Sequence, residues 1–243
     1  MKSLKECKVG EFMLRIDLLG IAIRMADTGP QWVDALLDIQ QSILESLDWT
    51  LDKLKQQNNI NLFQNGDSLL FPGDDIENLT ILGAILLTRL FDKDILAQAG
   101  IAGGGCFFLN DLSGLTGKGI KLHHSANLQM LVGPAVSRSY LILKGVKGLR
   151  FRVDEETTNL PSDGSGWWKK YAKREVKWWC NISEIQQEVE MKLKDVQDRI
   201  NSNRLESQKS ATPERLARDL KSLEKRKEHL DIFLKMTMKN QGT

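Results

Sequence analysis

Met13-Leu14-Arg15-Ile16-Asp17-Leu18-Leu19-Gly20-Ile21-Ala22 is the stretch on which the fold turns. It reads as a short apolar strand that carries one carboxylate, Asp17, to its end and then turns into a helix. A second stretch, Leu62-Phe63-Gln64-Asn65-Gly66-Asp67-Ser68-Leu69-Leu70-Phe71, sets two apolar arms around Asn-Gly-Asp. That is a strong hairpin signal, and it leaves Asp67 beside the turn. The two acids are fifty positions apart, roughly the span of one helix and one returning strand. If the strands pair, both carboxylates reach the same edge of one sheet. Two oxygen ligands there, beside a helix N-terminus, make a site for Mg²⁺ or Mn²⁺ carrying phosphates. Singly, each Asp reads as a cap or turn residue; as a pair in this order, they read as metal ligands.

The 243 residues allow one generous domain or one domain plus an appendage. Hydrophobic content of 41% and charged content of 27% describe an ordinary globular chain, and the net charge of +2 draws it to neither nucleic acid nor membrane. The charge is uneven: from Trp167 onward there are 18 basic and 12 acidic residues, against 16 and 20 before it. This marks a separate C-terminal element and is too mild to imply nucleic-acid binding. Cys7, Cys106 and Cys180 are widely spaced and form no zinc pattern with His123, His124 or His229, so reduced thiols are expected. No signal-peptide pattern opens the chain and no apolar run is long enough for a membrane span, so a cytoplasmic protein is expected.

Taken in order, residues 1–10 read as a polar lead-in, and 11–17 as the first strand. A helix starts at 21–25, breaks at Thr28-Gly29-Pro30, and resumes with Trp32, Leu36, Leu37, Ile39, Ile43, Leu44 and Leu47 on one buried face. The hairpin follows. Asp74 or Asp75 caps a helix over 76–91, and 95–102 is a strand. Gly103-Gly104-Gly105 permits close backbone approach, with a phosphate loop as a weak reading, and Cys106–Phe108 continues the strand. Ser113–Gly119 reads as mobile. Pro134 opens a helix to about 143, and 149–153 is a further strand. The order predicts an α+β, ferredoxin-like βαββαβ arrangement with helices on one face of a largely antiparallel sheet.

The expected organisation is a catalytic domain at 1–154, a linker and Trp-rich docking segment at 155–180, and a helical hairpin at 181–243. Trp167, Trp168, Trp178 and Trp179 read as anchors of the tail rather than as base-stacking platforms. Ile185, Val189, Leu193, Val196 and Ile200 form one helical stripe; Leu216, Leu220, Leu223, Leu230 and Leu234 form a second after Thr212-Pro213-Glu214. The hairpin can pack on the main domain or on a second subunit.

Ile16-Asp17-Leu18-Leu19-Gly20, then Gly66-Asp67-Ser68, Gly100-Ile101-Ala102-Gly103-Gly104, and Gly133-Pro134-Ala135-Val136 resemble, in this order, the class III nucleotidyl cyclase domain. They look most like its divergent bacterial branch, which includes the pyrimidine cyclases of Pycsar anti-phage defence. The resemblance covers about residues 12–154. It implies that Asp17, Asp67 and the Leu18 carbonyl bind two divalent ions, Mg²⁺ or Mn²⁺, and that the N–H groups of Leu19, Gly20 and Ile21 hold a nucleoside triphosphate. It also implies a homodimer whose active sites are shared, and a cyclic nucleotide that signals to a separate effector.

The departures narrow the substrate. Where purine cyclases carry base-reading polar residues, this chain has Phe63 and Met130, which suits a smaller base and points to UTP or CTP. Where the family has its ribose-orienting Asn and its transition-state Arg, this chain has Ser137 and Leu141. Ser137 is then expected in the catalytic set, with Lys144, Arg138 or Arg150 supplying the missing cation. Two other readings compete: a catalytically inactive cyclase-like module that binds nucleotide or dimerises, and a palm-type nucleotidyltransferase with similar two-Asp chemistry.

Overall fold

A computed structural model describes residues 4–20, 32–54, 61–109, 130–155, 157, 163–164, 168–172, 174–179, 182–207 and 213–238. Ile21, the helix start at 21–25, His123, His124, Ser113–Gly119, Trp167 and Cys180 lie outside them.

The first strand, β1, runs Lys8–Leu18, three residues earlier than the polar lead-in suggested. Helix α1 spans Trp32–Leu54, the hairpin strands β2 and β3 span Phe63–Asn65 and Ser68–Gly73, and α2 spans Ile76–Asp92. Asp75 caps α2, its Oδ1 accepting from the N–H groups of Glu77 at 2.8 Å and Asn78 at 3.2 Å. Strand β4 spans Ala97–Phe108, β5 Leu131–Val132, α3 Pro134–Leu141 and β6 Phe151–Val153. Four of the strands lie in the order β2-β3-β1-β4, all antiparallel. With α1 between β1 and β2 and α2 between β3 and β4, this is the ferredoxin-like βαββαβ topology.

Beyond β4 the sheet continues through β6, which is parallel to it, and then through three short strands that the sequence pattern did not signal. These are β7 (Asp163–Gly164), β8 (Trp168–Ala172) and β9 (Glu175–Lys177), in spatial order β6-β9-β8-β7. They are too short and too charged to carry a period-two signal. The chain ends in α4 (Ile185–Ser207) and α5 (Pro213–Met238), the expected helical hairpin.

Alternation along β1 sends Leu14, Ile16 and Leu18 to one face, where they join Ile39 and Ile43 of α1 and Leu82, Leu86 and Phe91 of α2 in the main core. Each such side chain, fully buried, contributes about 1.5–3 kcal/mol relative to exposure. Leu37 and Leu44, expected on the buried face of α1, are exposed instead. The other face is not bare, and this corrects the expectation of helices on one side only. Helix α3 lies there, its Ala135 packed with Met13, Leu70 and Cys106 in a second, smaller cluster. The glycines of β4 make room for it. Gly104 and Gly105 have φ of +109° and +82°, and a Cβ on Gly104 would stand 2.9 Å from Pro134 Cβ. Gly103-Gly104-Gly105 thus sits inside a strand and serves helix packing, not as a phosphate loop.

Cys106 is buried in the smaller cluster, its thiol donating to the Gly10 carbonyl at 3.1 Å. Burial first, and the nearby Asp74 and Glu11 carboxylates second, push that thiol up to about 12. Because the thiolate is the nucleophile, native protein at about pH 8 is expected to leave Cys106 unmodified by iodoacetamide, while urea-unfolded protein alkylates it. Peptide mass spectrometry reads the difference at that residue.

Among the described residues no helix is long and apolar enough to cross a membrane.

Candidate active site

Arg15 and Asp17 follow Met13 on the same face of β1, because strand side chains alternate. In the pairing with β3, Asp17 stands opposite Ser68, and in the pairing with β4 it stands opposite Gln98. Directly opposed residues share a face and approach closely. A polar row Ser68–Asp17–Gln98 therefore crosses three strands at the end of the sheet where β1 stops.

Within that row, Asp17 Oδ1 accepts from Arg15 Nε at 2.7 Å and from the Ser68 hydroxyl at 2.7 Å. Arg15 Nη2 closes the triangle by donating to Ser68 Oγ at 2.6 Å, and its guanidinium lies over the Tyr140 ring of α3 at 5.2 Å. Asp17 is only partly open to solvent, its side chain 20% exposed.

Asp67 lies at the same edge. Gly66 and Asp67 form the two-residue loop between β2 and β3, with Gly66 at φ +61°. The Leu18 N–H donates to the Asp67 carbonyl at 2.8 Å, which ties the turn to the end of β1. The Asp67 side chain is exposed. The chain thus brings the two aspartates to neighbouring strands at one end of the sheet.

The donors at this end are oxygens: the Asp17 and Asp67 carboxylates, the Leu18 carbonyl and the Gln98 amide. That set suits Mg²⁺ or Mn²⁺ and not a thiophilic metal. Gln98 sharpens the fit. It is only 7% exposed, and its Oε1 has no hydrogen-bond partner among the described residues. An orphan buried acceptor beside a carboxylate is what a cation or an ordered water would satisfy. Among the described residues no three His, Cys, Asp or Glu side chains are grouped to hold an ion. Two carboxylates alone would leave most of a divalent ion's coordination shell to neutral oxygens.

The other expected residues are placed differently. The Leu19 N–H donates to the Leu96 carbonyl at 2.7 Å, so it is not available to a phosphate. Gly20 has φ +82° with open space around its Cβ position. Phe63 belongs to the smaller apolar cluster and meets Phe108 edge to face at 5.6 Å, with Leu131 beside it, while Met130 is exposed. Ser137 is exposed on α3. Lys144 is also exposed, in the turn after α3 ends at Leu141, so it does not share a helix face with Ser137. Arg138 pairs with Asp154 at 3.8 Å, and Arg150 with Glu175.

The cation that does stand at Asp17 is Arg15, and sequence reasoning passed over it. So it did with Gln98. The signal for Arg15 was present, since a two-residue offset on a strand puts it beside Asp17. Gln98 had no local signal, because only the β1–β4 register sets it opposite Asp17.

No protein-family model matches this chain, and no curated protein is similar to it. Among solved structures it is similar to the adenylyl cyclase CyaB from P. aeruginosa, with 11% identity over 68% of this chain and 90% of that chain and a TM-score of 0.43. It is also similar to the guanylyl cyclase Cya2, with 15% identity over 68% of this chain and 88% of that chain and a TM-score of 0.38. At TM-scores below 0.5 these likenesses carry no weight for the chemistry of this chain.

Proposed function

We propose that this chain is a metal-dependent nucleotide cyclase that converts a pyrimidine nucleoside triphosphate, UTP or CTP, to its 3′,5′-cyclic monophosphate and pyrophosphate. The single observation that carries the reading is the placement of Asp17 and Asp67 on adjacent strand ends of a ferredoxin-like sheet. The motif order Ile16-Asp17-Leu18-Leu19-Gly20, Gly66-Asp67-Ser68 and Gly133-Pro134-Ala135-Val136 supports it.

In the reaction the ribose 3′ oxygen bonds to the α-phosphorus, the bond from that phosphorus to the bridging oxygen breaks, pyrophosphate leaves, and the hydroxyl proton passes to solvent. Asp17, Asp67, the Leu18 carbonyl and Gln98 would hold the two divalent ions. Bound there, such ions acidify the attacking hydroxyl and neutralise the departing phosphates. Arg15 and Ser68 orient the Asp17 carboxylate, and Arg15 adds positive charge where the family has its Arg on the following helix. Phe63 offers an aromatic surface to a small base. Met130 before β5, and Tyr140 and Leu141 at the end of α3, are exposed apolar side chains of the kind a second subunit would cover in a homodimer. The product would signal to a separate effector as an alarm against phage.

One observation favours a second reading, a non-catalytic nucleotide-binding module. The Arg15–Asp17 ion pair at 2.7 Å already neutralises the carboxylate that a metal would need. Incubation with each of the four NTPs and Mn²⁺, with product identification by mass spectrometry, separates the two. A cyclic pyrimidine nucleotide is expected from wild-type protein and not from Asp67→Ala protein. Pyrophosphate release from no NTP, or at equal rates from both proteins, overturns the cyclase reading and leaves the binding module.

A further inference from the structure

Where β1 stops, α5 closes the end of the sheet. A cavity of about 20 Å³ lies between them, with Leu19 and Gly20 on one side and Ser222, Lys225, Arg226 and His229 of α5 on the other. These four positions recur at the spacing of a single helix face. Neighbouring positions on α5 behave as expected for a docked helix: Leu223, Leu230 and Phe233 are buried in the main core. The polar stripe runs from His229, which is buried, through the half-buried Ser222 and Arg226 to the exposed Lys225, and the groups turned inward are costly unless something polar meets them.

Every side chain in that stripe can donate. His229 is 5% exposed, and its Nδ1 accepts the Gly148 N–H at 2.8 Å. A neutral imidazole held this way carries its proton on Nε2 and so is a donor there. Burial first, and the Lys225 charge second, hold its pKa below the usual value, so the neutral form is the resting one. Arg226 is fixed by Asp94, donating to its carboxylate and, at 3.1 Å, to its carbonyl. Lys192 meets the same carboxylate at 3.4 Å, so Asp94 is matched by two cations and leaves no net negative charge. Of the carboxylates flanking the stripe on α5, Glu228 is taken up by Lys147 and Glu224 by Arg204. Lys225 is exposed at the rim, and Gly20 leaves open space opposite it.

We infer that this cavity is the deep end of a binding site for a phosphate oxyanion, held by Ser222, Lys225 and the Nε2–H of His229. Leu19 and Leu96 make the rest of the lining apolar, so the donors and the positive balance on the α5 side select an anion. The room at the deep end, about that of one water, suits a single phosphate oxygen with the rest of the group outside. The site borders Leu19 and Gly20, which the cyclase resemblance assigns to a triphosphate, and so deepens that reading with α5 side chains the resemblance does not supply; its test needs no turnover. It also assigns the C-terminal hairpin a role at the end of the sheet where Asp17 lies.

The test is calorimetric titration of the full chain with inorganic pyrophosphate in EDTA, where neither metal nor turnover contributes. Wild-type protein is expected to bind, and Lys225→Ala to weaken binding at least about tenfold, the loss of one charge-assisted contact. Lys221→Ala removes the same charge from an exposed position of α5 outside the cavity, and is expected to stay within about twofold. Ser222→Ala gives a second, uncharged check and is expected to weaken binding as well. No binding by wild-type protein, or equal weakening by Lys221→Ala and Lys225→Ala, overturns the inference. A protein that cyclises no nucleotide yet binds pyrophosphate through Lys225 would leave it intact.

Discussion

Asp17→Asn protein is expected to release pyrophosphate from its nucleotide at least about a hundredfold more slowly than wild type. The substitution keeps the shape of the side chain and an oxygen that can still accept from Ser68, but removes the negative charge. Two consequences follow from the geometry. Any divalent ion loses an anionic ligand at the end of β1. Arg15, whose Nε donates to Asp17 Oδ1 at 2.7 Å and whose side chain is 15% exposed, loses its carboxylate partner. The two effects are separable by the companion variant Arg15→Gln, which removes the positive charge and leaves the Asp17 carboxylate without its cation. If Arg15 only competes for Asp17, Arg15→Gln binds Mn²⁺ more tightly and retains turnover. If Arg15 also supplies transition-state charge, Mn²⁺ binding rises while turnover falls. Mn²⁺ binding followed by electron paramagnetic resonance, beside a coupled pyrophosphate assay, measures both. Turnover by Asp17→Asn within about tenfold of wild type would remove Asp17 from the catalytic set.

Trp178→Ala is expected to cost about 3–5 kcal/mol of folding stability, read from urea denaturation. Trp178 is 1% exposed, and its ring stacks on Phe233 of α5 with centroids 5.3 Å apart and planes 3° from parallel. It also meets Phe91 of α2 edge to face at 6.1 Å, and its Nε1 donates to the Leu149 carbonyl at 3.0 Å. Truncation therefore opens a cavity between α2 and α5 and leaves a buried carbonyl unpaired. Because Trp178 joins the hairpin to the sheet, the same variant is expected to make α4 and α5 exchange amide hydrogens faster than β1 and β4. A stability change below about 1 kcal/mol would mean that the hairpin docks through other contacts.

The parts of the fold legible in the sequence are those with local signals. The α2 helix announces itself through the Asp75 cap and an apolar face, and the β2–β3 hairpin through Asn65-Gly66-Asp67. The hairpin helices show clear stripes at 185–200 and 216–234. What escaped were elements held by distant partners. β7, β8 and β9 are two to five residues long and exist because β6 offers an unpaired edge. The seat of α3 on the second face depends on bends at Gly104 and Gly105, whose local sequence reads equally well as a plain loop.

The candidate site divides along the same line. The sequence alone determined which two carboxylates belong together, because each is marked by its own strand-end or turn signal and the spacing allows one helix and one strand between them. It also set Arg15 on the face of Asp17, since alternation along a strand needs no partner. Only the tertiary structure decided that Ser68 and Gln98 flank Asp17, that Arg138 stands near Asp154 and Arg150 pairs with Glu175, and that α5 brings Lys225 and His229 to Gly20. Those relations join residues from 16 positions apart, for Arg138 and Asp154, to 209 apart, for Gly20 and His229. Strand register and helix docking create them, and neither is encoded in a window short enough to carry a periodic signal.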